Sequence, residues 1–300
     1  LKDIKEKIIR ICGNLGIDQV GIAPAGPYYG LEPVLVSRIK EGKYTGFEEK
    51  DIEKRIDPHK TVADANSVIV CLFPYFTGFK ENSNLSVHAY SIDYHKIVMH
   101  MLETLGNEIK KELPGFKYVP FIDNGPLVDR YLAHLAGLGF YGINNCIIND
   151  KYGSYVFIGY LINNYPLEPD KPDNRTCARC GACIRACPGC AILGNFDFNP
   201  LRCVSFITQK KGDLSERQWE ILKKHNKAYG CDVCQMVCPH NMHVRKTPIK
   251  EFTEDLIFNL DPDEILAMSD REFRTKYTDR TFAWRGRKTL ARNLITIRME

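Results

Sequence analysis

Apolar residues recur at helical spacing through the opening stretch. Between Leu1 and Leu15, the side chains of Ile4, Ile8, Ile11, Cys12 and Leu15 fall on one face, and Gly16 stands where the helix would end. Gln19 to Ala23 reads as a short strand, Leu31 to Ile39 as a helix with Leu31, Leu35 and Ile39 on one face, and Ser67 to Leu72 as a buried strand. A helix begins near Tyr94 and turns His95, Val98, Met99, Leu102 and Leu105 towards the interior. Lys117 to Ile122 is a strand that runs into Asp123-Asn124-Gly125-Pro126, and a helix follows with Leu127, Tyr131, Leu132 and Leu135 inward. Asp123 or Asn124 is placed to cap that helix. Cys146 to Ile148 and Tyr155 to Ile162 are further strands. The pattern predicts an α+β chain whose residues 1–165 form a domain of alternating helices and strands.

Beyond it the pattern changes. Asn163 to Asn174 carries Pro166, Pro169 and Pro172 and reads as a linker into a cysteine-rich domain, residues 166–245. Residues 246–300 form a short helical tail: Leu256 to Met268 and Asp270 to Tyr277 read as helices, and Arg285 to Ile297 as a basic segment. No apolar run approaches the roughly 20 residues that a membrane-spanning helix needs. The net charge of +4 is unevenly placed, with nine Lys or Arg from Arg271 to Arg298 against Glu272 and Asp279. Composition alone leaves two explanations open, a phosphate or polyanion partner and a solvated basic helix.

The cysteines carry the chemistry. Cys177-x2-Cys180-x2-Cys183-x3-Cys187-Pro188 is the Cys run of two-cluster ferredoxins, in which the fourth thiol ligates the other cluster. A second run, Cys231-x2-Cys234-x3-Cys238-Pro239, supplies three more thiols, and the outlying Cys203 completes a set of eight for two [4Fe–4S] cubanes. Structural zinc sites usually pair two well-separated Cys-x2-Cys knuckles, unlike these crowded thiols. Disulfide scaffolds are usually short secreted chains, and the sequence opens without an apolar signal segment. Cys12, Cys71 and Cys146 sit in apolar surroundings as core residues, and Cys190 lies too close to Cys187 to need a role.

Gly137-x-Gly139-x-x-Gly142 matches the dinucleotide fingerprint as a string, but the fingerprint needs a strand before it and a helix after it. Here the order is reversed, which argues against a nicotinamide cofactor. Asp57-x-His59 has Val62 where a cobalamin-binding Asp-x-His-x-x-Gly box has glycine, so no axial histidine is assigned.

Several short motifs, in order along nearly the whole chain, make the sequence resemble the epoxyqueuosine reductases. They are Arg55-x-Asp57-Pro58, Asp93-Tyr94-His95, Asp123-x-Gly125-Pro126, Arg130, Ala136-Gly137-Leu138-Gly139 and the first Cys run. Arg202-Cys203-x-Ser205, the stretch from Cys231 through Asn241, and Leu290-x-Arg292-Asn293 continue the series. The sequence departs from the family at Ile143, where lysine is usual, and at His240, where tryptophan is usual. It ends at Glu300, so a short form without the HEAT-like helical repeats is expected.

The resemblance implies base-off cobalamin in the N-terminal domain, two [4Fe–4S] clusters feeding it electrons, and epoxyqueuosine in a tRNA anticodon stem-loop as substrate. It implies Asp123 as the proton donor, and Asp93, Tyr94, His95, Arg130, Gly137, Gly139 and Asn144 around the substrate or corrinoid. By the same resemblance Cys177, Cys180, Cys183 and Cys238 hold one cluster, and Cys187, Cys203, Cys231 and Cys234 the other. Arg285, Arg287, Lys288 and Arg292 would meet RNA phosphates. A cytoplasmic monomer served by an external low-potential electron donor is expected. Two other readings stay open: a corrinoid iron–sulfur reductase of a small molecule, as in reductive dehalogenases, and a ferredoxin-like electron carrier without catalysis.

Overall fold

The structure is a computed structural model in which residues 2–298 are described, so Leu1, Met299 and Glu300 lie outside the described residues. The chain divides into two compact units: Leu1–Pro74, His95–Gly142 and Cys146–Ala178 form the first, and Tyr75–Tyr94, Ile143–Asn145 and Arg179–Glu300 the second.

The first unit is built on a sheet. Along the chain run α1 (Lys2–Asn14), β1 (Val20–Pro24), α2 (Glu32–Lys40), α3 (Ile52–Ile56), β2 (Ser67–Pro74), α4 (Tyr94–Glu112), β3 (Tyr118–Ile122), α5 (Asp129–Leu135), β4 (Phe140–Tyr141), β5 (Ile147–Ile148) and β6 (Val156–Asn163). The main sheet has the order β1-β2-β6-β3, and every pairing in it is antiparallel. All eight residues of β2 are buried because helices cover both faces. Val68, Val70 and Leu72 point to one side, where they meet Leu132, Ala133 and Ala136 of the α5 region. On the other side Cys71 meets Cys12 of α1. Gly159 of β6 admits α4, since a Cβ there would stand 2.8 Å from Leu102 Cδ1.

Most sequence expectations fall within a residue or two of these bounds, with four differences. Ile39 is 44% exposed, because α2 buries Leu35 but carries Ile39 out to solvent. The helix after Asp123 starts later than expected, at Asp129. Residues 164–178 lie against the sheet: the Asp170 carboxylate accepts the Ile22 N–H at 2.8 Å, and the Asp170 N–H donates to Ile22 O at 2.8 Å. Cys146, expected in the core, is only half-buried.

The second unit consists of short helices. They are α6 (Ala182–Ala186), α7 (Val204–Gln209), α8 (Glu216–Lys223), α9 (Val233–Met236), α10 (Pro262–Ala267), α11 (Asp270–Lys276) and α12 (Arg287–Arg298), with a small hairpin of β7 (Ile192–Gly194) and β8 (Asp197–Phe198). Ser215 and Ser269 form capping boxes at α8 and α11. Residues 256–261, expected to be helical, are not, and α10 starts behind the Asp261 cap. No described helix is long and apolar enough to cross a membrane.

Candidate active site

Asp123 sits on a strained turn. It follows β3 with φ +55°, and the Asn124 N–H closes a three-residue turn onto Ile122 O at 2.5 Å. The next residues explain the motif. A Cβ on Gly125 would lie 2.1 Å from Tyr160 Oη, and the Leu127 N–H donates to that oxygen at 3.4 Å. Phe121 stacks on the same tyrosine. The Asp-x-Gly-Pro turn is thus seated on β6, and its aspartate projects with a side chain 56% exposed. Asp123 is not a helix cap, because α5 begins six residues later with Val128 at its N-cap and no side-chain cap bond.

Around it lies a cluster of polar groups. His95 Nε2, at the start of α4, is 3.4 Å from Asp123 Oδ2. Asp129, the first residue of α5, has its carboxyl held well above the usual range by burial and by the charge of Asp123, with Arg130 and Arg55 pulling the other way. Burial likewise raises the phenols of Tyr141 and Tyr160, both within electrostatic reach of Asp129. Asp129 escaped the sequence reading. Its only signal was an acidic residue beside Arg130, and that pattern is common at helix starts.

Two expected pocket residues have a structural explanation. Gly137, at φ +69°, would place a Cβ 2.7 Å from Lys171 O, and Gly139 one 2.5 Å from Ile148 O. Both glycines let backbone approach backbone. His59, for its part, pairs through Nδ1 with Asp57 Oδ1 at 2.8 Å.

In the second unit, Asp93 donates its N–H to Asp279 O at 2.7 Å and accepts from Thr281 Oγ1 at 3.3 Å. Tyr94 is buried, and buried Asn144 donates to Cys234 O at 3.4 Å. The helices of the two Cys runs, α6 and α9, pack together. Gly189 allows the loop after Cys187 to press on Arg202, where a Cβ would stand 1.7 Å from the carbonyl oxygen. Cys187 Sγ accepts the Ala191 N–H at 3.2 Å. Burial pushes the Cys231 thiol up, and the neighbouring thiols of Cys203 and Cys187 push it further. Three members of one expected ligand set are therefore neighbours, although Cys203 lies far from the others in sequence. Among the described residues no three His, Cys, Asp or Glu close around a single ion.

The expected RNA contacts divide. Each of the five N–H groups of Arg292 has a protein acceptor, on Lys210 O, Gly212 O, Ile207 O and Asn293 Oδ1. Arg287 is held by Asp270 at 2.9 Å and Ile265 O at 3.3 Å. All the N–H groups of Arg292, and the Nε and Nη1 groups of Arg287, are thus engaged within the protein. Lys288 is exposed, and the Arg285 guanidinium stacks 3.6 Å from the centre of the Trp284 ring, whose residue is 51% exposed. Arg271 and Arg274 of α11 add exposed charge that the sequence reading did not single out.

The family described as "Epoxyqueuosine reductase QueG, DUF1730" matches residues 55–124, and the "4Fe-4S double cluster binding domain" matches residues 176–241. The epoxyqueuosine reductase of Listeria monocytogenes is 34% identical over 98% of this chain and 80% of its own length. That of Bacillus subtilis is 34% identical over 97% of this chain and 78% of its own length.

The chain belongs to the epoxyqueuosine reductase family.

Solved epoxyqueuosine reductases share its fold. The structure from Streptococcus thermophilus superposes with a TM-score of 0.90 at 31% identity, covering 98% of this chain and 80% of that one. One solved with an epoxyqueuosine-modified tRNA-Tyr stem loop gives 0.91 at 32% identity, covering 99% and 81%. The donor sets suit the cofactors of an epoxyqueuosine reductase. Eight thiols match two cubanes.

Proposed function

We propose that this protein reduces the epoxide of epoxyqueuosine in a tRNA anticodon loop to the alkene of queuosine. The observation that carries the reading is the superposition, at a TM-score of 0.91, on a relative solved with an epoxyqueuosine-modified stem loop. Cobalamin in the first unit, when bound and reduced, supplies electrons at the epoxide carbon. The chain's own groups handle the oxygen. Opening an epoxide near neutral pH needs a proton at the leaving oxygen, and Asp123, held outward by its strained turn, is the acid that delivers it. His95 stands beside Asp123 and steadies the carboxylate left behind. Arg130 in the first unit and, taken separately, Asp93, Tyr94 and Asn144 in the second are the residues that the family resemblance assigns to substrate or corrinoid.

Cys177, Cys180, Cys183 and Cys238 hold one cluster, and Cys187, Cys203, Cys231 and Cys234 the other. Burial, with the neighbouring thiols behind it, opposes ionisation of Cys231, so iron binding there is coupled to proton release. Arg274, Arg285 and Lys288 attract the RNA backbone, and Trp284 offers a face to a base. An external low-potential donor reduces the clusters, and the enzyme acts as a monomer.

The test is turnover by cluster-loaded, cobalamin-loaded protein on an epoxyqueuosine-bearing anticodon stem-loop and on the free nucleoside. Preference for the stem-loop is expected. No product from either, or equal use of both at moderate salt, would overturn the tRNA reading.

A further inference from the structure

We propose that the surface around the Cys180 loop is the docking face for the electron donor, and that the donor is a small acidic protein carrying one electron at a time. The proposal rests on the function given above, which draws two electrons from outside for each epoxide. It names where they enter and the chemistry of what brings them. Each encounter oxidises the donor by one electron and reduces the first cluster by one. With a flavin donor the hydroquinone anion becomes the neutral semiquinone, so no proton changes hands. Two encounters supply the pair that the reaction consumes.

Placement within the second unit sets the entry point. The second ligand set lies beside Asn144, which the family resemblance assigns to substrate or corrinoid and which donates to Cys234 O at 3.4 Å. The first set reaches the surface, since Cys180 is exposed, and so is Val237 next to Cys238. The β7–β8 hairpin meets the same loop. Gly194 pairs with Asp197 across a two-residue turn whose residues have φ +50° at Asn195 and φ +62° at Phe196. Such a turn favours glycine at its second position, and a bulky side chain at positive φ is an outlier. Phe196 nonetheless stands there, exposed, with the Arg179 guanidinium 5.3 Å from the centre of its ring, and Leu193 of the same hairpin is exposed as well. A strained turn that holds an aromatic ring out to solvent marks a binding surface. Charge then supplies the sign of the partner. From Arg179 to Cys203 the chain carries Arg179, Arg185 and Arg202 against a single acid, Asp197. Arg179 and Arg185 are exposed, and Arg185 Nη1 donates to Cys180 O at 3.2 Å, which holds its charge beside the ligand loop. Apolar side chains among positive charges suit an acidic protein, and the small, weak interfaces of electron transfer need no larger patch. RNA would answer the same charge, but here the charge gathers at a cluster ligand, where close approach serves electron transfer.

The experiment mixes full-length holoenzyme, without RNA, with a reduced acidic flavodoxin in anaerobic stopped flow and follows the semiquinone absorbance of the flavodoxin. Wild type is expected to react at a second-order rate that falls as salt rises. Arg179→Gln combined with Arg185→Gln should slow the reaction about tenfold at low salt, the lower end of electrostatic steering, and flatten its salt dependence. Phe196→Gly should slow it about fivefold or more, as loss of an aromatic interface residue does. The same variant should keep or raise the urea midpoint, because glycine suits the turn, whereas a merely structural phenylalanine would lower the midpoint and leave the rate alone. Iron content, stem-loop binding and the rate of reduction by a small photoreduced deazaflavin should stay at wild-type values in every variant.

Equal flavodoxin rates in wild type and variants, a wild-type rate indifferent to salt, or a slowing shared with the deazaflavin would overturn the proposal. So would variants that lose stem-loop binding while keeping the flavodoxin rate, since the face would then belong to RNA. No turnover of epoxyqueuosine enters the assay. A protein that takes electrons through this face yet leaves epoxyqueuosine unchanged would therefore refute the function and uphold the docking face.

Discussion

Replacing Asp123 by Asn separates its chemistry from its conformation. The residue has φ +55°, where most L residues pay roughly 1–2 kcal/mol but Asp and Asn are tolerated. Asn therefore keeps the turn, the Asn124-to-Ile122 bond and the seat on Tyr160, whereas Ala should destabilise by about 1 kcal/mol through the backbone alone. The half-exposed contact to His95 adds at most about 1 kcal/mol. Loss of a general acid costs about 10²–10⁴ in rate, or roughly 3–5 kcal/mol of barrier at 1.36 kcal/mol per factor of ten. The catalytic effect thus exceeds the stability effect several-fold. Measured together, kcat on the modified stem-loop should collapse in Asp123→Asn while iron, corrinoid and the urea midpoint stay at wild-type values. Asp123→Ala should lose the same activity at a lower midpoint. Turnover of the Asn variant within about threefold of wild type would refute this reasoning and leave Asp123 as a turn residue.

Cys203→Ala should halve the iron and sulfide content after anaerobic reconstitution, because Cys187, Cys231 and Cys234 cannot complete a four-thiol set; full content in the variant would remove Cys203 from the ligands. Changing Arg274, Arg285 and Lys288 together to Gln should weaken stem-loop binding and lower its salt slope by roughly 0.7–0.9 for each phosphate that is no longer neutralised. An unchanged slope would move the RNA surface elsewhere.

The cysteine spacing was legible because a cubane fixes its ligands in short runs, and the strands were legible because burial on both faces leaves continuous apolar stretches such as Ser67 to Phe73. The neighbours of Cys203 were not: they depend on Gly189 letting one loop press on another, an approach with no local pattern. The same holds for the partners of Arg292, whose five N–H groups reach backbone carbonyls and Asn293 that no local pattern announces. Its neighbour Asn293 donates to Thr208 O and Ala228 O, so the pair braces the segments that lead from Cys203 and into Cys231. Asp123 had the opposite fate. Helix-start rules made it a cap, and only the backbone, with the helix delayed to Asp129, shows that it is turned outward instead.

The most direct measurement is the mass of an epoxyqueuosine-bearing RNA strand after incubation with the anaerobic protein, cobalamin and a low-potential reductant. Loss of one oxygen atom from the modified base is expected, and that loss should disappear when either cobalamin or the iron is withheld. An unchanged mass with the fully loaded protein, or the same loss without cobalamin, would contradict the account.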